Sequence, residues 1–336
     1  MEIARLAEEH YDLWDRFVLS NNEGVFYHLS CWGRAISEAY NLEFIIVVAK
    51  DTGRILCGLP LIRFKLFFRE YAHSMPYAAN AGFCGGDKAM RNKIETYLLD
   101  NFGFSFIEFR EYGTHDIGPS SMVTQIMDLT PGSEAIWKKI NSAERSCVRK
   151  ARKLGLSISQ DRNGLDVFYD IFSKKMHQFG TPPHSKKLMS SIFKYGEGNV
   201  DLLVINKQGN TIGGIFLGYA KDRIYDPWVA VDDGYKQLSP YDFLYWSTVI
   251  WACEKGFKYF DMGRSKKDTG VYKFKKKWGA YDVPLCYRRL FQDGTVRNIS
   301  EHRVDSCAAS LFASLWRKIP AALNNSLGPR IRKYIP

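Results

Sequence analysis

The sequence lacks the patterns that define several large classes of protein. No apolar run reaches the roughly 18 residues that a membrane-spanning helix requires, and the N-terminal residues lack the basic and then apolar layout of a secretory signal. Seven cysteines are present, an odd number, and no two have C-x-x-C spacing. We therefore expect reduced thiols in the cytosol rather than a disulfide framework or a zinc site.

The common catalytic signatures are also missing. The sequence has no H-E-x-x-H pair, no Walker A loop, no nucleophile elbow and no strand-linked G-x-G-x-x-G. His177 and His184 flank a short Gly-Thr-Pro-Pro segment, but no third ligand accompanies them. These absences remove most support for hydrolase and nucleotide-dehydrogenase interpretations. We expect no metal ion and no tightly bound cofactor.

The composition is that of a globular protein with an excess of positive charge. The chain has 336 residues, of which 46% are hydrophobic and 15% aromatic, and its formal net charge is +11. This length favours two domains. The charge favours an anionic partner: a nucleic acid, a phosphorylated substrate or a lipid surface.

The chain contains the same plan twice. Residues 44–61 align without a gap with residues 200–217, about 156 positions later, and each segment predicts two strands joined by a glycine turn. Further on, residues 103–109 resemble residues 256–262: each has a glycine where a helix ends and then a short buried strand. Two matched pairs in the same order indicate an internal duplication.

The duplicated plan predicts an α/β fold with two tandem domains, each a mixed β-sheet flanked by helices. We expect a first domain over 1–130, a second domain with the active site over 131–295, and an amphipathic, basic tail over 296–336. Helices are expected at about 8–20, 29–40, 89–101, 133–154, 165–179, 185–195 and 240–255.

The helix expected from residue 240 has a strong start signal. Ser239 is placed to cap it, Pro240 suits its first position, and Asp242 can complete a capping box. Its free N–H groups offer an anion site, with Lys236 nearby. The alternative is a well-capped helix that binds nothing.

A basic and aromatic segment follows the strand that ends near Gly263. Tyr272, Phe274 and Trp278 are spaced to anchor it, which predicts that its four lysines point outward. Such a segment can hold a phosphate or stabilise an oxyanion, or it can simply be a solvated surface. In the helix over 133–154, Arg145, Arg149 and Arg152 share one face, which is either solvated or placed over an anionic ligand. The tail either lies on a membrane surface or docks on the body.

These features together resemble the Fem family of aminoacyl and acyl transferases, which has a double GNAT-like fold. The resemblance covers nearly the whole chain and rests on residues 141–155, 238–246 and 272–279. The last of these, Tyr-Lys-Phe-Lys-Lys-Lys-Trp-Gly, is similar to a Y-x-F-K-x-x-[WF]-G element of the family. Residues 180–182 and 260–265 and the tail resemble the branch associated with exosortase and exopolysaccharide systems.

The resemblance implies acyl transfer to an amine of a cell-envelope precursor, such as a peptidoglycan or exopolysaccharide intermediate. The donor is an aminoacyl-tRNA or an acyl-CoA, and the acceptor is amine-bearing and nucleotide- or lipid-linked. This implies a cytoplasmic protein, and the pattern of the tail leaves open whether it contacts the inner membrane face or docks on the body. Lys275 matches the family lysine near the reacting carbonyl or phosphate, and Asp226 and Asp261 are candidates for accepting the proton or orienting the amine. For Asp261 a buried structural role is the alternative. The expected substrate-binding residues are Arg34, Arg145, Arg149, Lys236, Ser239, Tyr241, Arg264, Tyr272 and Phe274.

Two departures from the family affect the expected donor. The long helical arm that several Fem enzymes carry has no room between residues 195 and 240. The GNAT pyrophosphate loop is replaced by Tyr-Lys-Gln-Leu-Ser-Pro over 235–240. Three hypotheses remain open: a Fem-like transferase, an acyl-CoA-dependent N-acyltransferase, and a non-catalytic module that binds an anionic glycolipid or partner.

Overall fold

A computed structural model describes residues 1–113, 121–299 and 307–335. The helices are α1 Tyr11–Ser20, α2 Ser30–Tyr40, α3 Lys88–Phe102, α4 Gly132–Lys139, α5 Ser142–Lys153, α6 Leu165–Gln178, α7 Lys186–Tyr195, α8 Pro240–Glu254, α9 Gly270–Lys277, α10 Cys307–Trp316 and α11 Ala321–Arg332. Short 3-10 turns occupy Glu8–His10, Phe26–His28, Arg162–Gly164 and Asp233–Leu238.

The strands form one sheet of mixed direction. They are β1 Glu2–Arg5, β2 Glu43–Asp51, β3 Arg54–Leu66, β4 Arg69–His73, β5 Cys84–Gly85, β6 Phe106–Tyr112, β7 Met122–Asp128, β8 Leu156–Gln160, β9 Val200–Lys207, β10 Asn210–Ala220, β11 Arg223–Val231, β12 Tyr259–Lys266, β13 Tyr281–Phe291 and β14 Val296–Asn298. Their order is β1-β2-β3-β4-β6-β13-β7-β12-β11-β10-β9-β8, with β5 beside β3 and β14 beside β13.

Both halves of the sheet follow the duplicated plan. In the first half, β2 and β3 form an antiparallel hairpin and β4 pairs in parallel with β6. In the second half, β9 and β10 form the hairpin and β11 pairs in parallel with β12. The helices α3 and α8 connect the strands of the two parallel pairs. The fold class expected from the sequence is confirmed.

The two halves exchange strands. β7 follows β6 along the chain, yet it pairs with β12 of the second half. β13 pairs with β7 through Tyr281–Pro284 and then with β6 through Leu285–Phe291. The boundary expected at residue 130 follows β7, a strand that is bonded into the second half.

One face of the sheet carries a core that spans both halves. Its helices are α1 and α2 from the first half and α6 and α7 from the second, and α2 packs against α7. Trp32 of α2 stacks on Trp228 of β11 with ring centroids 5.6 Å apart. On the other face, α3 covers the first half, and α4, α5 and α8 cover the second.

The helix expected over 133–154 is two helices. The chain breaks at Ile140, which is extended, and Asn141 starts α5 by accepting hydrogen bonds from the N–H groups of Ala143 and Glu144 at 3.0 and 3.2 Å. A guanidinium nitrogen of Arg145 binds carbonyls at the end of α4, including that of Ile140 at 2.6 Å. The apolar spacing continued across the break, which is why periodicity alone did not reveal it.

The C-terminal helices dock on the body of the protein. Trp316 is buried and donates from its indole nitrogen to Asn324 at 2.9 Å, and the amide of Asn324 donates to the hydroxyl of Ser173 in α6 at 3.0 Å. Among the described residues, no helix is both long and apolar enough to cross a bilayer.

Removing the cap at the break tests the assignment of two helices. We expect Asn141→Ala to lower the free energy of unfolding by about 1 kcal/mol, because two N–H groups of the first turn lose their acceptor. The measurement is urea denaturation, with Ser142→Ala, one position along and exposed, as the control. Equal stability of both variants would contradict the cap.

Candidate active site where β11 and β12 diverge

The two central strands of the second half are paired only over a short distance. Arg223–Tyr225 of β11 lie beside Tyr259–Asp261 of β12. Beyond that point β11 continues along β10 and β12 continues along β7. The two strands part at the carboxyl ends of the parallel pair, the position where open α/β sheets bind ligands, and we call this position the crevice. Among the residues that the structure describes, the edge of β11 that faces β12 has no strand partner from Asp226 onward.

A bulge in β12 shapes one wall of this crevice. The pairing of β12 with β7 shifts between Asp261 and Arg264, and Gly263 has a φ of +75°. The buried carboxylate of Asp261 accepts hydrogen bonds from the Gly263 N–H at 2.9 Å and from the Thr124 hydroxyl at 2.5 Å. Burial raises the pKa of Asp261, and its second oxygen has no hydrogen-bond partner among the described residues. Asp261 thus holds the bulge.

Lys275 lies inside the protein, against this bulge. Its ammonium group donates to the carbonyls of Gly263 at 2.8 Å and Arg264 at 3.3 Å, and the residue is 5% exposed. Burial lowers the pKa of Lys275, while the carboxylates of Asp226 and Asp261 act to raise it. The prediction that the lysines of this segment point outward is wrong for Lys275, because α9 turns this one position toward the sheet.

Asp226 of β11 faces Lys275 across Gly263. It is 8% exposed, and its carboxylate accepts a hydrogen bond from the Tyr245 hydroxyl at 2.8 Å. Burial raises the pKa of Asp226 to about 7, and the charge of Lys275 limits the rise. A Cβ added to Gly263 would stand 3.2 Å from an Asp226 oxygen and 4.0 Å from the Lys275 nitrogen. A glycine at this bulge therefore leaves room between the two charged groups.

Aromatic residues in and directly after α9 anchor this helix. The ring of Phe274 packs on Tyr245 with centroids 5.2 Å apart and on Trp278 at 6.3 Å. Tyr272 donates from its hydroxyl to Asp282 at 2.8 Å. These contacts hold α9 against the sheet, so the packing of the helix, as well as the hydrogen bonds of the ammonium group, determines where Lys275 lies.

The start of α8 differs from the capping expectation. Pro240 is at the first helical position, but Ser239 has a left-handed backbone with a φ of +54°, and its side chain caps nothing. The preceding 3-10 turn imposes this conformation. Lys236 forms an ion pair with Asp233 at 3.0 Å, and Tyr241 is half-buried, which raises its pKa to about 12. These residues lie beyond the end of β11, at the far end of the crevice.

Of the arginines on α5, Arg149 and Arg152 are exposed and line a pocket, and Arg149 lies beside an aromatic pair. Its guanidinium lies 5.6 Å from the ring of Trp137, and that ring contacts Trp246 of α8 at 4.5 Å. The pocket has a volume of about 480 Å³, and Arg152 also lines it. Arg145 is instead engaged with the end of α4. Arg34 of α2 lies over the ring of Tyr195 at 4.2 Å and 3.7 Å from a carboxylate oxygen of Glu8.

Three further contributors to the site depend on the assembled sheet. Tyr245 and Gly263 lie within segments that carry the family resemblance, but their contacts with Asp226 and Lys275 follow only from the way β11, β12, α8 and α9 pack. Thr124 had no signal in the sequence, because it reaches Asp261 from β7, 137 positions away.

In the first half, the loop before the corresponding helix binds a carboxylate of the same chain. The loop before α3 contains Gly82, Gly85 and Gly86, and the Gly85 N–H donates to the carboxylate of Glu23 at 2.8 Å. Arg91 binds both oxygens of the same carboxylate at 2.8 and 2.7 Å. A cavity of about 1230 Å³ adjoins this loop, but neither Asp226 nor Lys275 lines it. We therefore place the candidate site in the second half.

Residues 138–276 match the family model of the acetyltransferase (GNAT) domain. This segment contains β11, α8, β12 and Lys275, so it coincides with the crevice. No curated protein sequence matches the chain significantly.

The fold is similar to several solved structures. FemX has a TM-score of 0.69 and 14% sequence identity, covering 91% of this chain and 99% of that one. L-PGS from Bacillus licheniformis has a TM-score of 0.55 and 12% identity, covering 93% and 96%. A tandem GNAT protein from the clavulanic acid biosynthesis pathway has a TM-score of 0.54 and 9% identity, covering 87% and 98%. At these identities the likeness establishes the fold, a tandem GNAT architecture.

The raised pKa of Asp226 makes a prediction about stability. Between about pH 5 and about pH 7 the folded protein keeps the proton on Asp226, whereas the unfolded chain has lost it, since its carboxyl group ionises near 3.8. The wild type therefore loses stability as the pH rises through this window, and a non-titrating Asn does not. We expect the free energy of unfolding of Asp226→Asn, measured with urea, to rise relative to that of the wild type by roughly 1 kcal/mol per pH unit across this window. A stability difference that is independent of pH would contradict the raised pKa.

Proposed function

We propose that the chain transfers an acyl group from an activated donor, an acyl thioester of coenzyme A, to the amine of an acceptor bound in the crevice between β11 and β12. The observation that carries this proposal is the buried pair of Asp226 and Lys275, with the pKa of Asp226 raised to about 7. The match to the acetyltransferase (GNAT) domain model over residues 138–276 supports the reaction class.

Acyl transfer to an amine requires removal of protons from the attacking nitrogen. An amine is protonated near neutral pH, and a carboxylate with a pKa of about 7 can accept its proton. The nitrogen lone pair then forms the C–N bond and the C–S bond of the thioester breaks. The thiolate leaves and takes up the second proton released by the nitrogen. In this mechanism Asp226 is the general base, and Tyr245 orients its carboxylate.

Lys275 has a positioning role in the proposal. Two of its N–H groups bind the carbonyls of the bulge, and its charge keeps the Asp226 pKa from rising further. If Lys275 were absent, Asp226 would stay protonated at neutral pH and would be a poor base. Asp261 acts indirectly, because its hydrogen bonds maintain the bulge that presents those carbonyls to Lys275.

The donor is proposed to lie along the unpaired edge of β11. This edge presents N–H and C=O groups to which the amide-bearing arm of coenzyme A can bind as an added strand. The edge leads to the start of α8, where free N–H groups favour phosphate. Arg149 and the pocket between Trp137 and Trp246 offer a place for the nucleotide end of the donor.

An aminoacyl-tRNA is the second candidate donor, favoured by the likeness to FemX across nearly the full length of both chains. The amine-bearing acceptor is proposed to be a nucleotide- or lipid-linked intermediate of the cell envelope, as the resemblance to the Fem family implies. Peripheral contact with the inner membrane face through α10 and α11 also belongs to this proposal. The exposed Leu311, Leu315 and Leu323 of these helices support it.

The donor is tested by thermal shift against acetyl-CoA, longer acyl-CoAs and charged tRNA, with free coenzyme A and uncharged tRNA alongside. We expect an acyl-CoA to raise the melting temperature, because a ligand that binds only the folded state stabilises it. The rise should be lost in Arg149→Gln and kept in Arg54→Gln, an exposed arginine of the first half. Stabilisation by charged tRNA alone would favour the aminoacyl donor. No stabilisation by any donor would count against transfer and for a binding module.

The role of Asp226 predicts a change in the rate profile. With the donor identified above and a UDP-linked muropeptide as acceptor, we expect kcat of the wild type to rise with pH through an apparent pKa of about 7. Asp226→Asn should lower kcat by roughly a hundredfold or more and abolish this rise. Asp268→Asn, in the exposed turn before α9, is the control and should behave as the wild type. An unchanged pH profile in Asp226→Asn would exclude it as the base.

A further inference from the structure

Three arginines from distant parts of the chain converge on one loop beside the crevice. The loop is Tyr77–Ala79, which follows β4. Arg332 of α11 lies 5.8 Å from the ring of Tyr77, and Arg110 of β6 donates to the Ala78 carbonyl at 3.3 Å. Arg264 of β12 donates to the hydroxyl of Tyr287 at 3.4 Å, and that hydroxyl donates to the Ala79 carbonyl at 2.8 Å.

The docked tail is what brings Arg332 to this loop. The hydroxyl of Tyr77 donates to the Lys333 carbonyl at 2.8 Å, and the guanidinium of Arg332 donates to His184 at 3.2 Å. Burial and the charge of Arg332 lower the pKa of His184, so this histidine is a neutral acceptor. Arg332 is held in place by aromatic and neutral groups.

The positive charge of this cluster exceeds the negative charge around it. Arg110 shares the buried carboxylate of Glu108 with Arg289, at 3.2 and 2.8 Å. Arg264 and Arg332 form no ion pair with a carboxylate in the part of the chain that the structure describes. Burial is the main cause that lowers the pKa of Arg332 to about 10, and the charges of Arg264 and Arg110 act in the same direction. Guanidinium groups that repel one another in this way are stabilised by a shared anion.

The cluster opens to solvent and adjoins the reacting groups. The side chain of Arg264 is exposed, and that of Arg332 is half-buried. The backbone carbonyl of the same Arg264 binds Lys275, so the arginine cluster and the proposed base are on opposite sides of one bulge. The Nε atom of Arg110, a residue that is 3% exposed, has no hydrogen-bond partner among the described residues.

We infer that Arg264 and Arg332, supported by Arg110, form a binding site for a phosphate or diphosphate group. Two guanidinium groups that have no carboxylate partner among the described residues match a dianion better than a single carboxylate, and planar guanidinium groups bind phosphate oxygens in pairs. If the proposed function holds, on which this assignment to a substrate rests, the group belongs to the acceptor, because the donor is proposed to occupy the opposite, α8 end of the crevice. The C-terminal helix then supplies part of the acceptor site.

Isothermal titration with inorganic pyrophosphate at constant ionic strength tests the site. We expect the wild type to bind, and both Arg332→Gln and Arg264→Gln to weaken binding roughly tenfold or more, as expected when a charged hydrogen-bond donor is lost. The matched control is Arg330→Gln, which removes the same charge from an exposed position of the same helix. It should change the affinity less than about twofold.

The outcomes separate this site from the proposed function. No binding by the wild type, or equal binding by Arg332→Gln, Arg264→Gln and Arg330→Gln, would overturn the site. Arg264→Gln alters an exposed side chain, so it remains informative if Arg332→Gln fails to fold. Asp226→Asn should bind pyrophosphate as the wild type does. If the site binds but no acyl donor supports transfer, the proposed function fails and the site stands.

Two organic probes then distinguish the sources of the group. UDP represents a nucleotide-linked acceptor, and farnesyl diphosphate represents a lipid-linked one. Tighter binding of either than of inorganic pyrophosphate, lost in Arg332→Gln, supports the site and identifies its source. If neither UDP nor farnesyl diphosphate binds while inorganic pyrophosphate still does, the assignment to an acceptor is overturned.

Discussion

The hydrogen bonds that β13 makes to both halves of the sheet fix the geometry on which everything else depends. The strand changes partners at Pro284, from β7 to β6, so the two halves cannot swing apart without breaking a ladder in the centre of the sheet. Thr124 reaches Asp261 because β7 is bonded into the second half. Tyr287 connects Arg264 with Ala79 because β13 continues into the first. Asp226 and Asp261 are therefore held by paired strands and Lys275 by a helix that packs on them, rather than by surface loops, which suits groups that must keep a fixed separation.

The two halves share a topology but differ in whether a side chain binds the backbone N–H groups near the start of the connecting helix. In the first, the carboxylate of Glu23 takes the hydrogen bonds that the glycine loop before α3 offers. In the second, no side chain among the described residues caps the start of α8. The match to the GNAT domain model falls within the second half, in agreement with this asymmetry. The first half contributes instead the Tyr77–Ala79 loop and Arg110, which adjoin Arg264 through Tyr287.

Much of the fold follows from local sequence patterns, and most of the site does not. The two glycine-turn hairpins, α3 and α8 were predicted from periodicity and end signals, because short-range backbone preferences decide them. The break at Asn141, the left-handed Ser239 and the burial of Lys275 depend on neighbours distant in sequence. Asp226 and Lys275 were singled out through family resemblance, whereas their mutual approach across Gly263 required the assembled sheet. Arg332 was counted only as part of a basic tail, since nothing near it in sequence indicates where α11 docks.

The late position of β13 in the chain has a consequence for how the protein is made. The first half leaves the ribosome with the edge of β6 unpaired, and that edge stays so until residues 281–291 have been synthesised. An apolar strand edge exposed for this long is a template for wrong pairing. Contacts of such large sequence separation also slow folding. Production of this protein is therefore expected to depend on chaperones, or on slow synthesis, more than that of a single GNAT-sized domain.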